Sequence, residues 1–229
     1  IKIIAIVIEA ALFLFFGLLT FNYIYNEVII SKYEEHDYSK NVDALLHTNI
    51  IQPYIVYYNN GNIHYQKGEY EDAIEDYEMA LEQNPPHEDE ECEIRINLAL
   101  AIIATLPEDY DSPENIQQSI DTLTEARDNL VEEECALDED EGHNDTAQKL
   151  KEEIDALIEK LKQQQESQSQ GNEEQDDSQE NQQNQEDQQA YEEEIKEELQ
   201  QIQSDAQQER EDTLQLYEEY NYNWYGIVW

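Results

Sequence analysis

From Ile3 to Phe21 the chain reads IIAIVIEAALFLFFGLLTF, an almost unbroken apolar run. A helix built from it has no polar face to turn toward water. At about 1.5 Å per residue the run spans roughly 28 Å, close to the thickness of a bilayer's hydrocarbon core. Tyr23 and Tyr25 follow, where aromatic side chains belt a membrane interface. No A-x-A-like cleavage site comes after the run, which is longer than a signal-peptide core. Residues 1–27 are therefore expected to form an uncleaved transmembrane anchor; the alternative is a helix buried in a soluble core. The first residue is Ile rather than Met, so a few residues are expected to precede it. Lys2 lies before the span, while Lys32 and Lys40 follow among acidic residues, so charge says little about orientation. A very short N-terminal tail favours the N-terminus inside and the body outside. Glu9 lies within the span, where an ionised carboxylate costs about 3 kcal/mol unless it is paired or reaches the interface. Two readings stay open: a polar contact with a partner's transmembrane helix, or a carboxyl that snorkels or takes a proton.

The rest of the chain has the opposite character. It carries 56 acidic against 12 basic residues over the whole sequence, a net charge of -44. Such a surface repels nucleic acid and anionic headgroups. It suits basic protein partners, divalent cations, or simple solubility.

Within this acidic body, Tyr57, Gly61, Ala73, Tyr77 and Ala80 alternate aromatic and small residues, with Gly68 between two helical stretches and Pro85 at the end. Small residues let two antiparallel helices approach closely, aromatics fill the space beside them, and Pro ends the second helix. These offsets resemble the tetratricopeptide repeat, carried here by YYNNGNIHYQKGEYEDAIEDYEMALEQNP. Asn60 stands where Leu is usual in that pattern, and His64 where Tyr is usual. The resemblance implies an all-α hairpin with helix A over Gln52–Gln66, helix B over Glu69–Glu82, and a protein-binding role.

The neighbouring segments extend this into an array. Residues 28–52 read as a connector helix, with Val28, Ile29, Ile30, Val42, Leu45 and Leu46 available to pack on the first repeat, residues 53–86. Residues 89–135 read as a degenerate second repeat. Ile94–Ala104 is apolar on nearly every side and should be a buried central helix. Leu98, Ala99 and Ile102 take helix A positions, and Ser119, Ile120, Leu123 and Ala126 helix B positions. Ser112 is expected to cap that second helix, with Pro113 at its first position. The long loop before it carries Glu108, Asp109, Tyr110 and Asp111. A helix over 144–165, with Ala147, Leu150, Ile154, Leu157 and Leu161 in one stripe, is expected to cap the array; the whole repeat-like domain is 53–165. Residues 166–189 are rich in Gln, Asn and Glu and read as a disordered tether. Residues 190–229 regain helical character and end in Tyr217, Tyr220, Tyr222, Trp224, Tyr225 and Trp229. That cluster reads as a docking motif, because Tyr and Trp anchor interfaces well; the alternative is a tail folded back on the repeats.

Cys92 and Cys135 fall at neighbouring ends of the second hairpin. Outside the cytoplasm they would form a disulfide, and inside it two reduced thiols. There is no CxxC and no Cys/His spacing for zinc. The loop from Asp138 to Asp145 is dense in carboxylates but fails the EF-hand template, with Gly142 at a ligand position and Lys149 where a bidentate Glu belongs. It reads as a solvated loop with a helix cap. No nucleophile elbow, phosphate loop or metalloprotease signature is present, and His36, His47, His64, His87 and His143 are scattered. No catalysis, cofactor, metal or small-molecule substrate is expected. Some repeat domains clamp acidic C-terminal tails with Lys, Arg and Asn from helix A. Asn62, Arg95 and Asn97 resemble fragments of that clamp and are candidate partner contacts, although the lysines are absent and the surface charge is wrong for an acidic peptide, so an acidic-tail clamp is discounted.

Taken together, the anchor, the repeat, the helix CEIRINLALAI, the tether and the aromatic end resemble the tetratricopeptide component of bacterial Bat aerotolerance operons. The resemblance implies a single-pass protein of the bacterial cell membrane. Its body would lie outside the cytoplasm, and its partners would be membrane proteins with von Willebrand factor A domains and a MoxR-type AAA+ ATPase. An acidic envelope protein that stacks on itself or buffers divalent cations is the alternative, and a cytoplasmic co-chaperone of opposite topology a third.

Overall fold

The computed structural model describes residues 2–39, 42–138 and 142–170, with residues 200, 201 and 204. The chain is all-α: among the described residues every regular element is a helix. These are α1 (Lys2–Glu34), α2 (Asp43–Thr48), α3 (Pro53–Lys67), α4 (Tyr70–Glu82), α5 (Glu88–Ala104), α6 (Ile116–Val131) and α7 (Asp145–Gln170). A short 3-10 turn, Glu132–Glu134, follows α6. The described part divides into two compact units, one ending at Pro86 and one beginning at His87.

In the first unit α1 has two lives. Its N-terminal stretch is long and apolar enough to cross a membrane, and none of it is buried against protein. Phe13 is 80 % exposed and Ile3 78 %. From Asn22 onward the same helix becomes part of a folded core. Ile29 packs with Val42 and Leu45 around α2 and with Val56 and Ile63 of α3. Asn26 is buried and its Oδ1 accepts a hydrogen bond from Asn59 Nδ2 at 3.2 Å. The expected connector helix is thus the end of α1 plus the short α2, and Val28, expected to pack inward, is exposed. His36, in the left-handed region at φ 56°, ends α1. Its N–H reaches Tyr33 O and the Asp37 N–H reaches Lys32 O, the double closure of a Schellman cap.

α3 and α4 form the antiparallel hairpin. Gly68 closes α3 in the same way at φ 75°, with Gly68 N–H on Tyr65 O and Glu69 N–H on His64 O. Ala73, Tyr77 and Ala80 are fully buried along α4. Gly61 faces Tyr77 so closely that a Cβ there would lie 2.6 Å from the ring's Cε1. The glycine is the groove into which the ring fits. Asn84, at φ 53°, ends the hairpin just before Pro85.

The second unit is α5, α6 and α7. α5 is buried from Ile94 to Ile103, as its all-round apolar sequence requires. Ser119, Ile120, Leu123 and Ala126 line the buried side of α6. The capping stripe of α7, Ala147, Leu150, Ile154, Leu157 and Leu161, is buried throughout. α7 continues to Gln170, five residues beyond the boundary expected before the tether. α6 begins at Ile116, not at Pro113. Ser112 is not its cap: the Ser112 carbonyl accepts from Asn115 and Ile116 in a lead-in turn, and its buried hydroxyl has no partner among the described residues. Tyr110 is buried rather than lining an open loop, and Gln164 of α7 holds the Asp111 carbonyl at 3.1 Å.

After α6 the chain reverses through Glu133 and Glu134, both left-handed at φ 53° and 61°. The reversal returns Cys135 to Cys92, and the two form a disulfide across a sequence separation of 43. Gly142 crosses this corner, where a Cβ would lie 2.3 Å from the Cys135 carbonyl oxygen. Gln148 fastens the loop, accepting from Leu137 and Gly142 N–H and donating to Leu137 O. Asn144 caps α7 through the Ala147 N–H.

Three stability measurements on the full chain test this architecture. Gly61→Ala forces a methyl into the Tyr77 ring and is expected to cost about 1–3 kcal/mol of hairpin stability, read as a lower thermal midpoint; an unchanged midpoint would show that the two helices can part freely. Cys92→Ser with Cys135→Ser releases a loop whose closure contributes about 4 kcal/mol. Unfolding of the second unit should then match that of the dithiol-reduced wild type. Burial, reinforced by Glu90 and Asp89, pushes the Glu93 carboxyl up from 4.5 to about 7. A raised folded-state value means stability is present at low pH and lost as pH rises through the window from 4.5 to about 7. Glu93→Gln should remove that loss, so the variant gains up to about 3 kcal/mol over wild type at pH 8 and nothing at pH 4. A pH-independent difference between the two would contradict it.

Candidate protein-binding surface

The α3–α4 hairpin displays a row of polar side chains held by one another. Asn60 and His64 lie one turn apart on α3, and both face Asp76 of α4. Asn60 Nδ2 donates to Asp76 Oδ2 at 2.7 Å, and His64 Nδ1 lies 3.3 Å from the same oxygen. Burial raises the Asp76 carboxyl above its ordinary range, against the opposing effect of Asn60 and then His64. These are the two positions where Leu and Tyr are usual in the repeat. Here the substitutions come as a set with a half-buried carboxylate across the hairpin.

One residue further on, the Tyr77 hydroxyl donates to Asn62 Oδ1 at 2.8 Å, and the Tyr58 and Tyr77 rings lie 6.1 Å apart. Tyr57 is also half-buried, so the hairpin mixes aromatic faces with amide and carboxylate edges.

The other two candidate contacts are built into the second unit. Arg95 is buried and its guanidinium is fully engaged. Nη2 meets Glu91 Oε1 at 2.8 Å, and Nη1 meets Glu132 Oε2 at 2.7 Å. Asn129 Nδ2 donates to the Arg95 carbonyl at 2.6 Å. Arg95 therefore joins α5 to α6 and to the turn after it, with its guanidinium committed inside the unit. Asn97 is 3 % exposed and is likewise an interior residue.

Glu9 is exposed on the apolar stretch of α1. The aromatic cluster Tyr217, Tyr220, Tyr222, Trp224, Tyr225 and Trp229 lies outside the described residues, as does most of the tether.

Among the described residues, two groups of side chains place metal-ligating atoms within 4.8 Å of one another. His64, Glu69 and Asp72 form one. Glu69 already pairs with Lys67 at 3.2 Å, and carboxylates at the start of α4 are favoured by the helix dipole with no ion needed. Cys92, Cys135 and His143 form the other. His143 Nε2 sits 3.0 Å from Cys92 Sγ, a neighbour that sequence separation concealed. Its place follows from backbone pairing, His143 N–H on Glu134 O and Asn144 N–H on Cys135 O. Both sulfurs are spent in the disulfide, so the group offers no thiolate. In the acidic loop, Asp138 is held by Lys151 at 3.0 Å and by Arg127. Those partners, Lys151 first, keep its carboxyl below the usual range, so this carboxylate serves an ion-pair network that also takes in Asp155.

Residues 54–87 match the family model of the tetratricopeptide repeat. The match covers α3, α4 and the turn after them. No curated protein and no solved structure matches the chain.

Proposed function

We propose that the chain is a membrane-anchored adaptor. α1 crosses the bilayer once, the repeat at 54–87 presents a binding surface next to the membrane, and the chain has no catalysis of its own. One observation carries the reading. α1 is bare of protein over its apolar half and is part of the repeat's core over the other half. A repeat built on an anchor in this way cannot leave the membrane surface, so its partners are met there. The resemblance to Bat operon components supports membrane proteins with von Willebrand factor A domains, and a MoxR-type ATPase, as those partners. In this reading the body lies outside the cytoplasm of a bacterial cell, a location that the Cys92–Cys135 disulfide supports. The aromatic tail, 217–229, acts as a second anchor on the same partner.

Full-length protein should stay with membranes through alkaline carbonate extraction, and removal of residues 2–21 should release it. A full-length chain in the soluble fraction would end the anchor reading. Purified in mild detergent, the full chain is expected to bring down a protein with a von Willebrand factor A domain, and deletion of residues 217–229 should weaken that capture. Equal capture by the deletion removes the tail from the mechanism. Capture of no membrane protein at all removes the adaptor reading.

A further inference from the structure

The loop between α2 and α3 ends in two isoleucines that nothing in the first unit covers. Ile50 is 76 % exposed and Ile51 57 %, while Leu45, Tyr54 and Val56 on either side are buried. The loop is nonetheless built. Asn49 N–H is bonded to Leu45 O, Asn49 Oδ1 accepts the Gln52 N–H at 3.1 Å, and Ile55 N–H bonds to Gln52 O. The backbone is tied inward and the two apolar side chains are left outside.

Three contacts fix the height of this loop along α1. Thr48, immediately before it, is clasped to Asn22: Asn22 Nδ2 donates to Thr48 O at 2.9 Å, and Thr48 Oγ1 donates to Asn22 Oδ1 at 2.6 Å. Asn22 is the first polar residue after the apolar run. α3 then climbs away from that level, since Asn59 meets Asn26 and Ile63 joins the cluster around Ile29. The α2–α3 loop is therefore the base of the unit, level with the point where α1 leaves the hydrocarbon.

The charge pattern agrees. Between Asp43 and Lys67 the chain has no Asp, Glu, Lys or Arg, in a protein with a net charge of -44. An acidic surface is pushed away from anionic headgroups, and this stretch is the part that lacks the repulsive charges.

We infer that Ile50 and Ile51 insert into the bilayer beside α1, giving the repeat a second point of attachment to the lipid. The inference rests on α1 crossing the membrane. A single helix leaves the unit free to swivel about its axis, whereas two attachments set which face of the hairpin looks along the membrane and which looks away. The occupant is lipid rather than protein because the loop stands at the height of the interface, next to a helix already bare for lipid contact.

The test uses the full chain in phosphatidylcholine–phosphatidylglycerol vesicles, with an environment-sensitive dye on a single introduced thiol. The three positions are Phe13→Cys in the span, Ile51→Cys in the loop, and Lys67→Cys at the far end of α3. Spin-labelled lipids with the label near the headgroup or deep in the acyl chain act as quenchers. The Phe13 position should be quenched by the deep label. The Ile51 position should show blue-shifted emission quenched by the shallow label, and the Lys67 position should respond to neither. If the Phe13 position is not quenched, the span itself fails. If it is quenched while the Ile51 position behaves like the Lys67 position, the span stands and the insertion is wrong. Blue-shifted but unquenched emission at Ile51 would assign the loop to a protein surface, such as a second copy, and would also overturn the insertion.

Discussion

The first unit depends on one helix being continuous. α1 runs from Lys2 to Glu34 without a break, so its bare apolar stretch and the residues that pack on the repeat share a single rigid rod. The change of role happens within two turns. Phe21 is exposed, Asn22 clasps Thr48, Asn26 is buried against Asn59, and Ile29 is in the core. Amides do the work at the transition because they can be satisfied either by each other or by interfacial water. A flexible linker here would let the repeat drift through a volume set by linker length. The helix removes that freedom.

The hairpin shows how steric and polar requirements divide a short repeat between them. Gly61 and Tyr77 set the distance between the helices, and no other residue type at 61 leaves room for the ring. The polar row, Asn60 and His64 on Asp76 and Asn62 on Tyr77, sets their register. The framework positions were legible in the sequence, because small and aromatic residues at fixed offsets have one geometric use. The departures at Asn60 and His64 were visible but mute, since their meaning lies in a carboxylate more than ten residues away that no spacing rule links to them.

The second unit was legible where apolar patterning decides and illegible where backbone conformation decides. The buried run of α5 and the stripe of α7 follow directly from periodicity. The turn at Glu133–Glu134 does not, because two consecutive glutamates in the left-handed region run against every local preference. They are held there by what surrounds them: Arg95 on Glu132, the disulfide at Cys135, and the two backbone hydrogen bonds that bring His143 alongside. The same crowding engages Arg95, whose guanidinium is taken up by Glu91 on its own helix and by Glu132 on the next turn.

Charge ties these observations together. In the second unit of this acidic chain, three largely buried cations neutralise nearby carboxylates. Arg95 does so for Glu91 and Glu132, and Arg127 and Lys151 for Asp138 and Asp155. Drawing these three cations inward leaves more of the second unit's outer charge negative, which disfavours contact with anionic lipid or nucleic acid. The α2–α3 loop and the first part of α3 are the exception, with neither sign present. That neutral window stands at the foot of the hairpin, level with the end of the apolar run of α1, so negative charge there does not oppose an anionic surface.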